Sequence, residues 1–95
     1  MRSSLLAVLL AITGCQTAPV QEMSDARQAI TVAKEAGAAE YAIAELKAAE
    51  DFLVSAERNL DRREYKQARD DAMQAKVNAL AALKVSEATQ DDDGT

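Results

Sequence analysis

The fold is decided by residues 42–60, which read AIAELKAAEDFLVSAERNL. Apolar residues recur there at alternating steps of four and three, the spacing that gathers side chains on one face of an α-helix. Alanine and leucine alternate along that face, as in the a/d seam of helices that cross at a shallow left-handed angle. The stretch predicts a helix packed against other helices through Ala42, Leu46, Ala49, Leu53, Ala56 and Leu60.

Similar spacing occurs before and after this stretch. The preceding run begins at Met23 and ends at Gly37, with Ser24 as the predicted N-cap and Gly37 as the residue just past the helix end. The following run begins at Tyr65 and continues in alanines, with a bulkier stripe beside it. We predict helices at about 24–36, 42–60 and 62–88. The alanines are Ala68, Ala72, Ala75, Ala79 and Ala82, and the stripe is Met73, Val77, Leu80 and Leu83.

Two interpretations remain for the junction LDRREY at residues 60–65. Asp61 followed by Glu64 resembles a capping box, which would start a new helix here. The alternative is one continuous rod, since the junction contains neither glycine nor proline. The final residues, 90–95, read QDDDGT and are expected to form an acidic, disordered tail.

The composition indicates an all-α fold. Alanine, the strongest helix former, is the commonest residue, and Glu, Lys, Gln, Arg and Leu follow it closely in propensity. The single proline, Pro19, precedes the predicted helices. We expect a small antiparallel helical hairpin or three-helix bundle over residues 23–89, preceded by a short tether over residues 15–22.

The amino terminus resembles a lipoprotein signal peptide. Arg2 precedes an uncharged apolar run at residues 5–12, which is too short to cross a bilayer as a helix. Ile12-Thr13-Gly14-Cys15 resembles a bacterial lipobox, in which cleavage falls between Gly14 and Cys15. By that resemblance residues 1–14 are removed, and Cys15 carries an S-diacylglyceryl group and an N-acyl chain as its only cofactor-like group.

A lipid on Cys15 would fix where the protein resides. Two or more acyl chains make a stable membrane anchor. Gln16 follows Cys15 where an aspartate would resemble an inner-membrane retention signal, so the periplasmic face of the outer membrane is expected. The alternative is an incidental cysteine in a discarded segment. Cleavage after Ala18 is disfavoured because Pro19 would follow the cut.

Charge and residue types exclude several functions. Without Arg2, 10 basic and 16 acidic residues remain, giving a net charge of 10 − 16 = −6, which disfavours nucleic-acid binding. The chain has no histidine, and its one cysteine is assigned to lipid, so the usual catalytic bases, nucleophiles and metal ligands are missing. No enzyme activity and no metal site are expected, including at the acidic residues 91–93.

A basic cluster surrounds the junction of the second and third predicted helices. It has two interpretations. If the first helix leaves the membrane and the second returns, the cluster faces anionic lipid headgroups. Alternatively, its first members simply suit the negative carboxyl end of the second helix. The cluster consists of Arg58, Arg62, Arg63, Lys66 and Arg69.

Three groups of residues carry a family resemblance: residues 37–42, reading GAAEYA; Glu45 and Leu46 with Ala49; and Tyr65 with Ala68, Ala72 and Ala75. With them, the chain over about residues 19–88 resembles family 4398 of the domains of unknown function. Relatives often have a proline where this chain has Ile43. The resemblance implies a small, alanine-rich bacterial envelope lipoprotein and names no activity.

From these features we expect a non-enzymatic outer-membrane lipoprotein that acts in the periplasm as a helical protein-interaction or envelope-structural module. Its partners would be membrane lipid, through Cys15, and either an envelope protein or further copies of itself. Two alternatives remain: a regulatory lipoprotein cofactor of a cell-wall or export enzyme, and a non-covalent envelope spacer.

Overall fold

The computed structural model describes residues 17–93 and confirms the all-α fold. The described residues form four helices: α1 over Val20–Glu35, α2 over Ala38–Tyr41, α3 over Ile43–Asp61 and α4 over Tyr65–Asp93. The short helix α2 was not predicted. The predicted signal peptide, its cleavage site at Gly14 and the lipidated Cys15 lie outside the described residues.

Ion pairs show how the three long helices run. Arg27 and Lys34 of α1 pair with Glu57 and Glu50 of α3 at 3.1 and 2.9 Å, so these helices are antiparallel. Two further pairs join early residues of α1 to early residues of α4, so those helices are parallel. The arrangement is an up-down-up three-helix bundle. The α1–α4 pairs are Glu22–Arg69 at 3.5 Å and Asp25–Lys76 at 3.9 Å.

Alanine forms most of the core. The buried residues of α4 recur at steps of three and four, as predicted, and their small side chains allow helix backbones to approach closely. The larger buried side chains come from the other helices, at Met23, Ile30 and Leu46. The fully buried alanines include Ala49 and Ala56 of α3, and Ala68, Ala72, Ala75, Ala79 and Ala82 of α4.

Helix α1 begins at Val20, so the predicted start at Ser24 is wrong, and residues 20–22 of the predicted tether are helical. Pro19 occupies the N-cap position, and its carbonyl accepts the first helical bond from the Met23 amide at 2.9 Å. Proline suits a helix start because its missing N–H would have no partner there and its φ is close to helical. Ser24 lies within the first turns of α1 and caps nothing.

The corner between α1 and α3 is made by Gly37. Its φ of +93° is left-handed, which confirms the predicted role of glycine just past the helix end. Helix α2 adds one turn, and Ala42, with φ −141°, separates it from α3. A Cβ at Gly37 would lie 2.9 Å from Nε2 of Gln90 and 3.0 Å from Cδ2 of Tyr41, so a larger residue would displace the end of the Gln90 side chain in addition to straining the backbone.

The junction at residues 61–64 is a true break, as the cap interpretation predicted, but the capping box is wrong. Asp61 is the last residue of α3, and Arg63 adopts a left-handed φ of 62°. The Arg63 amide bonds the Leu60 carbonyl at 3.0 Å, and the Glu64 amide bonds the Asn59 carbonyl at 2.9 Å. These two bonds define a Schellman motif, which caps the C-terminus of α3. The predicted capping box would instead have capped the N-terminus of the next helix.

Helix α4 extends to Asp93, so the disordered tail predicted for residues 90–95 is wrong for residues 90–93. Gln90 Nε2 donates a hydrogen bond to the Ala36 carbonyl at the end of α1. That bond satisfies one of the carbonyls that a helix end leaves unpaired, and it ties the last turns of α4 to the bundle. Gly94 and Thr95 lie outside the described residues.

Candidate functional site

The first described residues are fastened to the start of α4. Arg69 Nη2 donates to the Thr17 carbonyl at 3.0 Å, and Pro19 is fully buried. The same guanidinium group pairs with Glu22. The chain that follows Cys15 therefore reaches the bundle at the end where α3 turns into α4.

The basic cluster lies at this same end. Arg58, Arg62 and Arg63 are exposed and form no ion pair within residues 17–92, whereas Lys66 pairs with Asp70 at 3.1 Å and Arg69 is held by α1. Three of the five predicted residues are thus available to an external anion, and two are engaged within the chain. Arg58 also lies in the last turn of α3, where a cation is favourable to the helix dipole.

A row of exposed aliphatic side chains runs along the outer face of α4. Met73, Val77 and Leu80 are 52, 58 and 45% exposed, and we call these three residues the α4 stripe. At about 100° per residue, Val77 lies roughly 200° from Ala79, on the side of the helix away from the core. Leu83, which belonged to the same predicted stripe, is instead partly buried against the core.

Helix α1 forms a wall beside the α4 stripe. The groove between α1 and α4 has a volume of about 380 Å³, and the stripe together with Ala72 lines its apolar part. Glu22, Asp25 and Lys76 form its polar rim. Asp25 and Lys76 are paired across the groove, so its charges are balanced within the chain.

A polar contact fixes how α3 sits on α4. Asp71 Oδ2 accepts hydrogen bonds from Ser55 Oγ at 2.6 Å and from Asn59 Nδ2 at 2.9 Å. Both donors are part-buried, so the carboxylate holds one turn of α3 in register with α4. Sequence reasoning missed this cluster because the spacing of polar residues on α3 does not reveal which side chain of α4 they will meet.

Ser86 lies where the alanine series of α4 would continue. It is fully buried, and its hydroxyl has no hydrogen-bond partner among the described residues. The position is four residues after Ala82, so the spacing that predicted the alanines also reaches it. The side chain of Ser86 therefore occupies the position of a further core alanine, and its hydroxyl oxygen is buried without a hydrogen-bond partner among the described residues.

The described residues offer little for chemistry. In residues 17–92 no group of three or more His, Cys, Asp or Glu side chains is placed to hold a metal ion. None of the helices in the described part of the chain is long and apolar enough to cross a bilayer. The features that stand out are the α4 stripe with its groove and the basic end of the bundle.

Comparison with known proteins identifies the family and nothing finer. No curated protein and no solved structure matches the chain. The profile of one family, described as a domain of unknown function (DUF4398), matches residues 21–93, which include all of α2, α3 and α4 and nearly all of α1. This match covers most of the sequence and confirms the resemblance inferred from it. The chain belongs to the DUF4398 family.

Proposed function

We propose that this protein is a lipid-anchored, non-catalytic interaction module of the bacterial cell envelope. Cys15 carries the lipid, the outer membrane holds it, and the helical bundle faces the periplasm. The α4 stripe is the docking surface. The observation that carries this proposal is the placement of three exposed aliphatic residues on the helix face opposite the core.

The exposed stripe supports docking because it is continuous. Single exposed apolar residues are ordinary on protein surfaces, whereas a contiguous apolar patch with a polar rim is typical of an interaction site. Met73, Val77 and Leu80 follow one another at steps of four and three along a single helix. The adjoining groove adds depth, so a partner helix would meet both α4 and the wall of α1.

The position of Thr17 supports the anchor. Thr17 follows Cys15 by two residues and is held against α4 by Arg69. A lipid on Cys15 would therefore bring the basic end of the bundle close to the membrane surface. Arg58, Arg62 and Arg63, which have no ion pair within residues 17–92, would then be near lipid headgroups.

Two measurements on the full-length chain test the anchor and the docking surface separately. With labelled palmitate, the wild type is expected to take up label and Cys15→Ser to take up none; labelling of Cys15→Ser would refute the anchor.

The docking surface is tested by crosslinking. A photoreactive amino acid at position 77 is expected to give a discrete covalent adduct in cells. The matched control is position 54 on α3, where Val54 is 50% exposed. Equal adducts at both positions, or none at 77, would refute the docking surface.

The headgroup contact has its own test. Arg62→Gln with Arg63→Gln is expected to weaken binding of the unlipidated chain to vesicles containing anionic lipid by roughly fivefold or more, since each basic residue near such a surface contributes up to ~1 kcal/mol. The control is Lys47→Gln with Lys34→Gln, which alters lysines remote from the basic end. Unchanged binding of the double arginine variant would show that these arginines serve only the bundle.

A further inference from the structure

We propose that the partner of the α4 stripe is a second copy of this chain, paired through α4 in antiparallel orientation about a two-fold axis at Val77. This inference rests on the proposed function, because it names the occupant of the same docking surface. A two-fold interface uses one patch on both copies, so the patch must be complementary to itself. The order of side chains along α4 meets that condition.

The charges flanking the stripe are arranged with opposite signs about Val77. Asp70 lies seven residues before it and Lys84 seven residues after it. Lys66 lies eleven residues before it and Glu87 ten residues after it. In an antiparallel pair, residues at equal distances from the centre face one another. Asp70 then meets the partner's Lys84, and Lys66 meets the partner's Glu87.

The apolar residues obey the same symmetry. Met73 lies four residues before Val77 and Leu80 three residues after it, so each meets the other across the axis while Val77 meets its own copy. The α4 stripe and the four charged residues that flank it lie on one face of α4, because the seven positions follow one another at steps of four, three, four, three, four and three. Each of them is exposed.

The neighbouring charges do not oppose this pairing. Lys84 and Glu87 form no ion pair within residues 17–92. Arg69 and Lys76, which flank the stripe, are already neutralised by Glu22 and Asp25 of α1. Asp70 pairs with Lys66 at 3.1 Å, but an exposed pair of this kind contributes little, so exchange to a partner side chain costs little.

A parallel pairing fails on the same charges. It would set Asp70 against Asp70 and Lys84 against Lys84, and like charges placed opposite one another are destabilising. The ends of α4 reinforce the choice: Lys66 and Arg69 lie near its start, and Glu87 and Asp91 near its end. Antiparallel packing brings each basic end beside an acidic one.

The α4–α4 contact between the two copies would be long but would bury little apolar surface. The seam from Lys66 to Glu87 spans 21 residue steps, about 32 Å of helix, with three aliphatic residues at its centre. A stable interface usually buries about 800 Å² on each partner, so we expect a modest affinity that two-dimensional confinement on a membrane would raise. The two Thr17 ends lie at opposite ends of such a dimer. Two anchors in one bilayer therefore require the bundles to lie along its surface.

Disulfide trapping in cells tests this geometry. The full-length chain with Val77→Cys is expected, on mild oxidation, to give a covalent dimer of twice the monomer mass, because position 77 faces itself across the axis. Val54→Cys on α3 is the matched control, and the wild type reports on any free Cys15 thiol. Neither is expected to give a dimer.

Charge reversal then tests the orientation. In the Val77→Cys background, Asp70→Lys is expected to lower the dimer yield by roughly tenfold, as is Lys84→Asp, because each reversal makes two attractive pairs repulsive. Asp70→Lys combined with Lys84→Asp restores opposite signs in both pairs and is expected to return the yield to within about threefold of the parent.

The outcomes separate this inference from the proposed function. No dimer from Val77→Cys, equal dimers from Val54→Cys, or no rescue by the double reversal would overturn antiparallel self-pairing. An adduct from position 77 with a different mass would also overturn it, while supporting a docking surface for another envelope protein. Circular dichroism of each variant checks that the bundle remains helical.

Discussion

The two faces of α4 invert the usual distribution of side-chain size. The buried face carries Ala68, Ala72, Ala75, Ala79 and Ala82, while the exposed face carries Met73, Val77 and Leu80. Burial of a large aliphatic side chain would contribute more free energy than burial of a methyl group, at about 25 cal/mol per Å². In α4 the small side chains are therefore buried, and the larger aliphatic side chains of the α4 stripe remain about half exposed.

The difference shows what the small residues achieve. Helix α4 packs against both α1 and α3, and alanine lets these backbones approach closely on one face. A face of leucines at those positions would hold the helices further apart. The core thus depends on size complementarity, whereas the packing of the monomer sets no tight limit on side-chain size at the exposed face.

The largest expected effect is overpacking of the buried face. Ala79→Leu adds three carbon atoms at a position with no exposed surface. We expect it to lower the free energy of unfolding by about 3 kcal/mol, since extra methylenes in a packed core force side chains and backbones to shift. In a domain of this size the melting temperature should fall by roughly 10 °C or more.

Val77→Leu is the matched control for that experiment. It adds one carbon atom to the α4 stripe, where the side chain is 58% exposed, and should change the melting temperature little. Similar losses for Ala79→Leu and Val77→Leu, measured by thermal unfolding, would contradict the assignment of the two faces.

An intermediate effect of opposite sign is expected at Ser86. Replacing it by alanine removes a buried hydroxyl that has no partner in the described residues and extends the alanine series by one turn. Ser86→Ala should raise the free energy of unfolding by about 1 kcal/mol, from relief of the unpaired polar group and from the better helix former. Urea unfolding measures the change, and a loss of stability would show that the hydroxyl is hydrogen-bonded in solution.

The smallest effect on stability is expected on the exposed face. Val77→Asn should change the free energy of unfolding by less than about 0.5 kcal/mol at low protein concentration, because surface substitutions rarely exceed that range. The same substitution should abolish the adduct formed from a neighbouring photoreactive position at Leu80. A large loss of stability in the dilute monomer would mean that Val77 belongs to the core.

Sequence reasoning succeeded where spacing alone decides the outcome. The steps of three and four that begin at Tyr65 identify the buried alanines of α4, and Gly37 marks the end of α1 because a left-handed residue there is usually glycine. The break between α3 and α4 was one of the two interpretations that the sequence left open at residues 60–65. The same spacing reaches Ser86, but the residue type gave no signal of its burial, since serine is mostly found on exposed surfaces.

Reasoning from sequence failed where the local signal pointed elsewhere. Arg63 takes the left-handed position that ends α3, and arginine carries no signal for that conformation. Ser24 looked like a cap because serine favours that role, but Pro19, five residues earlier, occupies the N-cap position and the helix begins directly after it. Residues 90–93 were predicted to be a tail because three of the four are acidic, and the bond from Gln90 to Ala36 could not be foreseen since it depends on where α1 ends in space.

The odd number of long helices has a mechanical consequence. Because α1 and α4 run parallel, Thr17 and Asp93 lie at opposite ends of the bundle, with α3 returning between them along the chain. Tension applied between those ends would slide the helices along one another instead of peeling them apart. In that shear geometry the ion pairs and the alanine contacts along the bundle would have to break together.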